Sequence, residues 1–327
     1  FFYHPARRVE AERKMEKTLD KRWGKFGLGE NKDKNLPVVG AVHLAAGFLL
    51  SEMLGCEVEY KQDAPPQVLC AGKTDLNIRP DTAFESTAYK KFQRLISSLK
   101  KKYGFLTGDV NWGGILNIAL DLRGQELFMD MYDRPDELNN FLGQIARVIE
   151  RFTQNMQKQT GSTSISVNRS VRHLEPALYL HSECSHTMIS VDDYKRFLFQ
   201  IDHLWSTRHR PFGIHFCGPD PHRYAEAFSQ LDHLDFLDVG WGGDVAQLRK
   251  RMPDTFLNIR LSPVEMIEQS PAEIEDAVRR LVGESGKPEL TGVCCINMDE
   301  KVSDDKITTL FKTVAEIREE YSRLNKA

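Results

Sequence analysis

The chain has 327 residues, 41% of them hydrophobic, with 44 basic against 47 acidic residues and a net charge of −3. That length buries a sizeable core as one large domain or two ordinary ones, and the even charge balance, without a basic block or stripe, argues against a nucleic-acid partner. No apolar run approaches the roughly 20 residues that cross a bilayer, and no signal peptide is visible.

The opening stretch "ARRVEAERKMEKTLDKRWGKFG" is charged and predicts a helix. "LPVVGAVHL" reads as a buried strand, "AAGFLLSEMLG" as the helix after it and "QVLCAGKTDLNI" as an inserted hairpin. "SLKKKYG", residues 98–104, reads as the solvated end of a helix, where cations are favoured, and "YGFLTGDV" as a strand. "DRPDELNNFLGQIARVIERFTQNMQKQTG" carries apolar residues at three- and four-residue spacing and predicts a long helix closed by Gly161. "STSISVNR" reads as a strand, and "SVDDYKRFLFQIDHLWST" as a helix with Ser190 as its cap.

The last third alternates most regularly. The strands "PFGIHFCG", "LDFLDVGW", "TFLNIRL" and "LTGVCCIN" are each followed by a helical stretch, the last being "DDKITTLFKTVAEIREEYSRL". Such alternation with continuous apolar strands means a parallel α/β sheet buried on both faces. About seven or eight strands in roughly 300 residues suit a (β/α)8 TIM barrel. The expectation is one domain over residues 1–327 with an N-terminal helical and hairpin extension. An open doubly wound sheet is the rival, weakened by the absence of GxGxxG at any strand–helix junction.

The six cysteines, Cys56, Cys70, Cys184, Cys217, Cys294 and Cys295, are sparse and include an adjacent pair. That is not a disulfide scaffold; it fits a reducing cytoplasm with thiols free for metal or catalysis. His215 and Cys217 stand two residues apart in an apolar run that Gly218-Pro219 ends. Alternation points both side chains to one face, at the strand end where a barrel carries its site, about 7 Å apart along the strand. An imidazole and a thiolate so placed can converge on zinc, though both residue types also occur in cores.

"TGVCCIN" is a second strand end, where either Cys294 or Cys295 points inward. His215, Cys217 and that cysteine would make a three-ligand centre with one open position, the pattern of catalytic zinc. Asp238 ends the strand between them, as a fourth ligand, a carboxylate orienting His215 or a helix cap; Asp244 reads as a cap. "HSECSH" clusters His181, Glu183, Cys184 and His186 in what reads as a loop between strands, so it is taken as substrate-pocket lining, with His181 and Glu183 as contacts, rather than as zinc ligands. His43 and Asp109 fall at expected strand ends and are candidates to line the pocket, His43 having the alternative of a core histidine and Asp109 that of a loop residue over the mouth, beside Asn111.

Several segments carry a resemblance. "GDVNWGGILNIALDLRGQELFMDMYDRPDELNNFL", "MISVDDYKRFLFQ", "GIHFCGPDPHRYAEAFSQLDHLDFLDVG" and "RMPDTFLNIRLSPVEMIEQSPAEIEDAVRRLV" resemble successive segments of the uroporphyrinogen decarboxylase superfamily. The relatives are (β/α)8 barrels with two main chemistries. The decarboxylases carry an Arg-rich N-terminal segment of the "RQAGRY" type, which this chain lacks. The other branch comprises zinc-dependent methyltransferases that work with corrinoid proteins, marked by His-x-Cys and a later Cys on the final strand. His215, Cys217 and Cys294 fit that signature, Cys294 lying five residues before Asp299, with Cys295 the alternative because "GVCCINMD" departs from the usual text.

The resemblance therefore implies zinc and a corrinoid (cobalamin) on a separate carrier protein. The activity it implies is methyl transfer between that corrinoid and a small thiol or a methoxy- or methylamine-type substrate. Two other readings stay open. One is a metal-free decarboxylase of a porphyrinogen-like or other carboxylate, with Arg169, Arg172 and Arg260 as the arginines near strand ends. The other is a non-catalytic barrel that holds structural zinc or binds a corrinoid protein.

Overall fold

Helix α1 (Pro5–Trp23) starts behind His4, whose Nδ1 accepts from the Arg7 amide. These residues belong to a computed structural model that describes residues 3–29, 48–62, 66–104, 106, 113–160, 176, 178–296 and 298–324. Helix α2 (Phe48–Met53) leads into a short antiparallel hairpin of β1 (Glu57–Glu59) and β2 (Gln67–Leu69). The hairpin is thus set earlier than "QVLCAGKTDLNI" suggests. After Leu69 the chain does not turn back, because the amides of Ala71 and Lys73 donate to the carbonyls of Asp121 and Leu122 on a neighbouring helix.

Helix α3 (Thr87–Tyr103) is capped by Ser86 and stops at Gly104, whose φ of 81° few other residues tolerate. Lys100, Lys101 and Lys102 lie in its last turn, as read from the sequence. Helices α4 (Ile115–Arg123) and α5 (Glu126–Asp133) precede α6 (Pro135–Thr160), which buries Leu138, Phe141, Leu142, Ile145, Ile149, Phe152 and Met156 along one stripe. The strands expected at 36–44 and 162–169, and all but Tyr103, Gly104 and Leu106 of that at 103–110, lie outside the described residues.

Five parallel strands follow: β3 (Tyr179–Glu183), β4 (Phe212–Phe216), β5 (Phe236–Val239), β6 (Phe256–Arg260) and β7 (Thr291–Cys294). They pair in chain order, each with the next. A doubly wound sheet would reverse direction partway, whereas a (β/α)8 barrel advances strand by strand, and the fold is that barrel. Between β3 and β4 lie α7 (Val191–Phe197) and α8 (Phe199–Arg208), a break at Leu198 in what the sequence offers as one helix. Ser190 caps α7 in a reciprocal box with Asp193. Helices α9 (Val245–Arg251), α10 (Pro263–Glu268), α11 (Pro271–Ser285) and α12 (Asp304–Leu324) complete the later units.

The register sorts the inward side chains into layers. Leu180 pairs with Gly213, Gly213 with Phe236 and Phe236 with Phe256. This apolar layer plugs the sheet below the site: Phe236 and Phe256 stack at 5.6 Å between ring centroids, and Gly213 leaves room where a Cβ would meet Phe236 and Leu180 at 3.0 Å. The next layer is Ser182, His215, Asp238, Asn258 and Gly292. Two residues further along each strand, the same face carries Cys184, Cys217, Gly240, Arg260 and Cys294, with Arg260 and Cys294 directly paired. Apolar plug, polar row, thiol-rich rim: the chemistry is stacked toward the C-terminal mouth. Among the described residues no helix is long and apolar enough to cross a membrane.

Candidate metal centre

The polar layer is a chain of hydrogen bonds running across strands. His215 and Asp238 are fully buried, and His215 Nδ1 lies 2.6 Å from Asp238 Oδ2. Asn258 Nδ2 donates to Asp238 Oδ1 at 3.0 Å and to Cys294 Sγ at 3.3 Å. Asp238 therefore orients the imidazole, with its own second oxygen held by Asn258. His215 Nε2 is buried and has no hydrogen-bond partner. With the other ring nitrogen committed to a carboxylate, this is the arrangement that fixes a ligating histidine.

On the layer above, Cys184 and Cys217 come from the ends of adjacent strands. The donor atoms of Cys184, His215 and Cys217 all lie within 4.8 Å of one another, a group able to hold a metal ion. The hydrogen bond between the two thiols sends Cys217 down, to about 3, against the opposing effect of burial, with help from His215 and Arg260. The same bond and burial push Cys184 well up, so Cys217 is the sulfur that carries the charge. Burial pulls the His215 imidazole down, but the Asp238 carboxylate and the Cys217 sulfur outweigh it and raise it to about 9. Arg260 Nη1 donates to Cys217 Sγ at 3.2 Å. Cys184 is held from behind: Asn117 on α4 accepts from its amide at 3.1 Å and donates to Ser185 Oγ at 2.7 Å.

The third donor of this group is Cys184, where the sequence offers Cys294. Cys294 does face inward and Cys295 packs outward against the cluster of Met266, Ile274 and Val278, so the inward residue of that pair is Cys294. But three strand steps separate β7 from β4, with Gly240 and Arg260 between Cys217 and Cys294, whereas β3 is β4's immediate neighbour. Reading "HSECSH" as a loop hides this: Tyr179–Glu183 is a strand, and Cys184 stands at its end.

Alternation also turns His181 and Glu183 away from that row, toward the helices. Glu183 is buried beneath the start of α4, accepting from the amides of Leu116 at 2.7 Å and Asn117 at 3.2 Å, and from Ser185 at 3.1 Å. It caps the positive end of that helix, and Gly114 is required because a Cβ there would lie 2.4 Å from Glu183 Oε2. His181 Nδ1 lies 2.6 Å from Asp202, which also accepts from the Tyr194 hydroxyl, and His181 Nε2 accepts from the Ile115 amide at 3.3 Å. Both residues tie helices to β3. His186 is buried among Tyr194, Phe216, Tyr224 and Phe228. Asp244 caps α9, its side chain accepting from Gln247. His43, Asp109, Asn111, Arg169 and Arg172 lie outside the described residues.

Gly240, Asn258 and Asn117 escaped the sequence reading, which named Arg260 only as an arginine near a strand end and not as a partner of Cys217. One signal was available: Asn258 and Arg260 are polar at alternate positions of an otherwise apolar strand, which puts both on one face. Gly240 is required by contact, since a Cβ there would lie 1.7 Å from the Gly218 carbonyl oxygen.

A (β/α)8 barrel with a histidine and two thiols gathered at its strand ends defines a barrel with a candidate metal centre at the usual place for chemistry. Over residues 40–317 the chain matches the model of the uroporphyrinogen decarboxylase (URO-D) family, and it belongs to that family. Among solved structures it is similar in fold to a methyltransferase from Methanosarcina mazei, with 13% identity and a TM-score of 0.65 over 93% of this chain and 85% of that one. No curated protein matches it in sequence.

Proposed function

We propose that this chain is a zinc-dependent methyltransferase of the URO-D family, moving a methyl group between a corrinoid on a separate carrier protein and a small thiol or methylated substrate. The observation that carries the proposal is the group of Cys184, His215 and Cys217, with donor atoms within 4.8 Å of one another. The residues fit zinc: two thiols, and an imidazole whose buried Nε2 has no other partner. Three protein donors leave one position for substrate, as in catalytic rather than structural zinc sites. The thiol and imidazole donors favour methyl transfer over a decarboxylation that needs no metal, and the chain is similar in fold to a methyltransferase.

When bound, zinc supplies Lewis acidity at its open position, making a thiol more acidic or a methylated heteroatom a better leaving group. The chain's own residues do the rest. Asp238 holds the Nδ1 proton of His215 and so keeps the lone pair on Nε2. Arg260 favours the anionic form of Cys217, and Asn117 fixes the turn that presents Cys184. The apolar layer of buried Leu180 and Phe236, with half-buried Phe256 stacked on it, limits water entry beneath the site. Free thiols at all six cysteines suit a reducing cytoplasm.

The test is elemental analysis joined to methyl transfer. The purified protein is expected to hold about one zinc per chain. His215→Ala and Cys217→Ser are expected to lose the zinc and, with it, transfer from methylcobalamin to a thiol. A protein that transfers methyl groups equally well without metal would overturn the reading.

A further inference from the structure

Arg260 is 2% exposed, yet among the described residues no carboxylate lies within ion-pair distance of it. Among the described residues its one hydrogen bond goes from Nη1 to Cys217 Sγ, at 3.2 Å. Its Nε is buried with no acceptor. The Trp241 ring covers the guanidinium at 5.1 Å from its centroid. Buried guanidinium groups are ordinarily paired, because an unpaired charge out of water is strongly unfavourable. Cys217 serves as a partial counter-charge here, but a thiolate that also ligates a metal shares its charge with that metal. Its buried Nε–H, at least, has no acceptor among the described residues.

We propose that Arg260 anchors a carboxylate on the small substrate of the proposed metal centre, making the substrate an acid whose reacting sulfur or other heteroatom lies a few bonds from its carboxylate. The proposal rests on the metal-centre reading given above. The planar fork of Arg accepts a carboxylate on two parallel donors, which the single point charge of Lys does not reproduce. Its bond to Cys217 places that fork beside the metal ligands, so one short molecule reaches both. The Trp241 face shields the contact from water, which strengthens it.

The test compares two probes of matched size, 3-mercaptopropionate and 3-mercapto-1-propanol, on the full chain loaded with cobalt(II). Thiol binding is read from the sulfur-to-cobalt charge-transfer absorbance. Calorimetry with propionate on metal-stripped protein gives a readout that needs no metal. The acid is expected to bind at least about tenfold tighter than the alcohol, as a charge-assisted pair implies. Arg260→Met, read at cobalt concentrations that saturate its weakened site, is expected to erase that preference, and Arg260→Lys to restore only part of it. Equal binding of the two probes to loaded wild-type protein, or a preference that survives Arg260→Met, would overturn the anchor and leave the metal centre standing. Protein that takes up no cobalt but binds propionate through Arg260 would support the anchor and refute the metal centre. Absence of both cobalt and Arg260-dependent propionate binding would refute both.

Discussion

Replacing Cys184 by Ser, with Cys294→Ser as its partner experiment, separates neighbouring strands from a distant one. Cys184 Sγ belongs to the group whose donors lie within 4.8 Å of one another, and Cys294 does not. Structural zinc sites with four ligands bind with apparent free energies of roughly 10–16 kcal/mol, so one thiolate accounts for about 3 kcal/mol, and its loss weakens binding on the order of a hundredfold. Ser keeps the size of Cys and is a poor zinc ligand, so the fold is expected to persist. Competition against a chromophoric chelator measures the affinity, and the melting temperature of the metal-free protein checks the fold. Cys184→Ser is expected to lose about a hundredfold in zinc affinity and Cys294→Ser less than about threefold. The reverse ranking would refute the argument from adjacency and place the third ligand on the last strand.

Metal binding is expected to be steeply pH-dependent. Near pH 7 the metal-free protein holds protons on His215, raised to about 9, and on Cys184, raised well above its ordinary value, while Cys217, lowered to about 3, is already ionised. Zinc must displace the first two protons, so affinity rises with pH by about a hundredfold per unit near neutrality and by about tenfold per unit above the His215 value; calorimetry in buffers of differing ionisation enthalpy counts the protons. Release of one or none would contradict this charge assignment. Gly240→Ala forces a Cβ to within 1.7 Å of the Gly218 carbonyl oxygen, on the turn just after Cys217. It is expected to cost about 1–3 kcal/mol in urea unfolding and to weaken zinc binding, whereas an unchanged unfolding midpoint would mean the two backbones part easily. Glu183→Ala strips the cap from α4 and leaves three amides without their acceptor. A loss of about 3 kcal/mol or more in denaturant unfolding is expected, with zinc still bound; an effect on metal binding alone would return Glu183 to the site.

Much of the fold was legible because strand–helix alternation is a local property. The helices at 135–160 and 304–324 and the strands of the last third fall where periodicity places them. The inward pair His215 and Cys217 was legible for the same reason, being two residues apart on one strand. "YLHSEC" was harder. Its histidine, serine and glutamate are polar, so it reads as a loop, yet the histidine and glutamate bond to packed helices, the serine lies in the inward row, and the segment pairs fully with β4. Composition reports what water would prefer, and these side chains never meet water.

By itself the sequence determined the barrel, the family and the shared facing of His215 and Cys217, because all three follow from local pattern. Only the tertiary structure decided which strand ends meet. Register set Ser182 against His215 and carried Cys184 to Cys217. It also placed Gly240 and Arg260 between Cys217 and Cys294. A one-residue change of parity sends His181 and Glu183 to the helices and Cys184 to the centre, and that parity is settled by hydrogen-bonded pairing between strands whose sequences are some 30 residues apart.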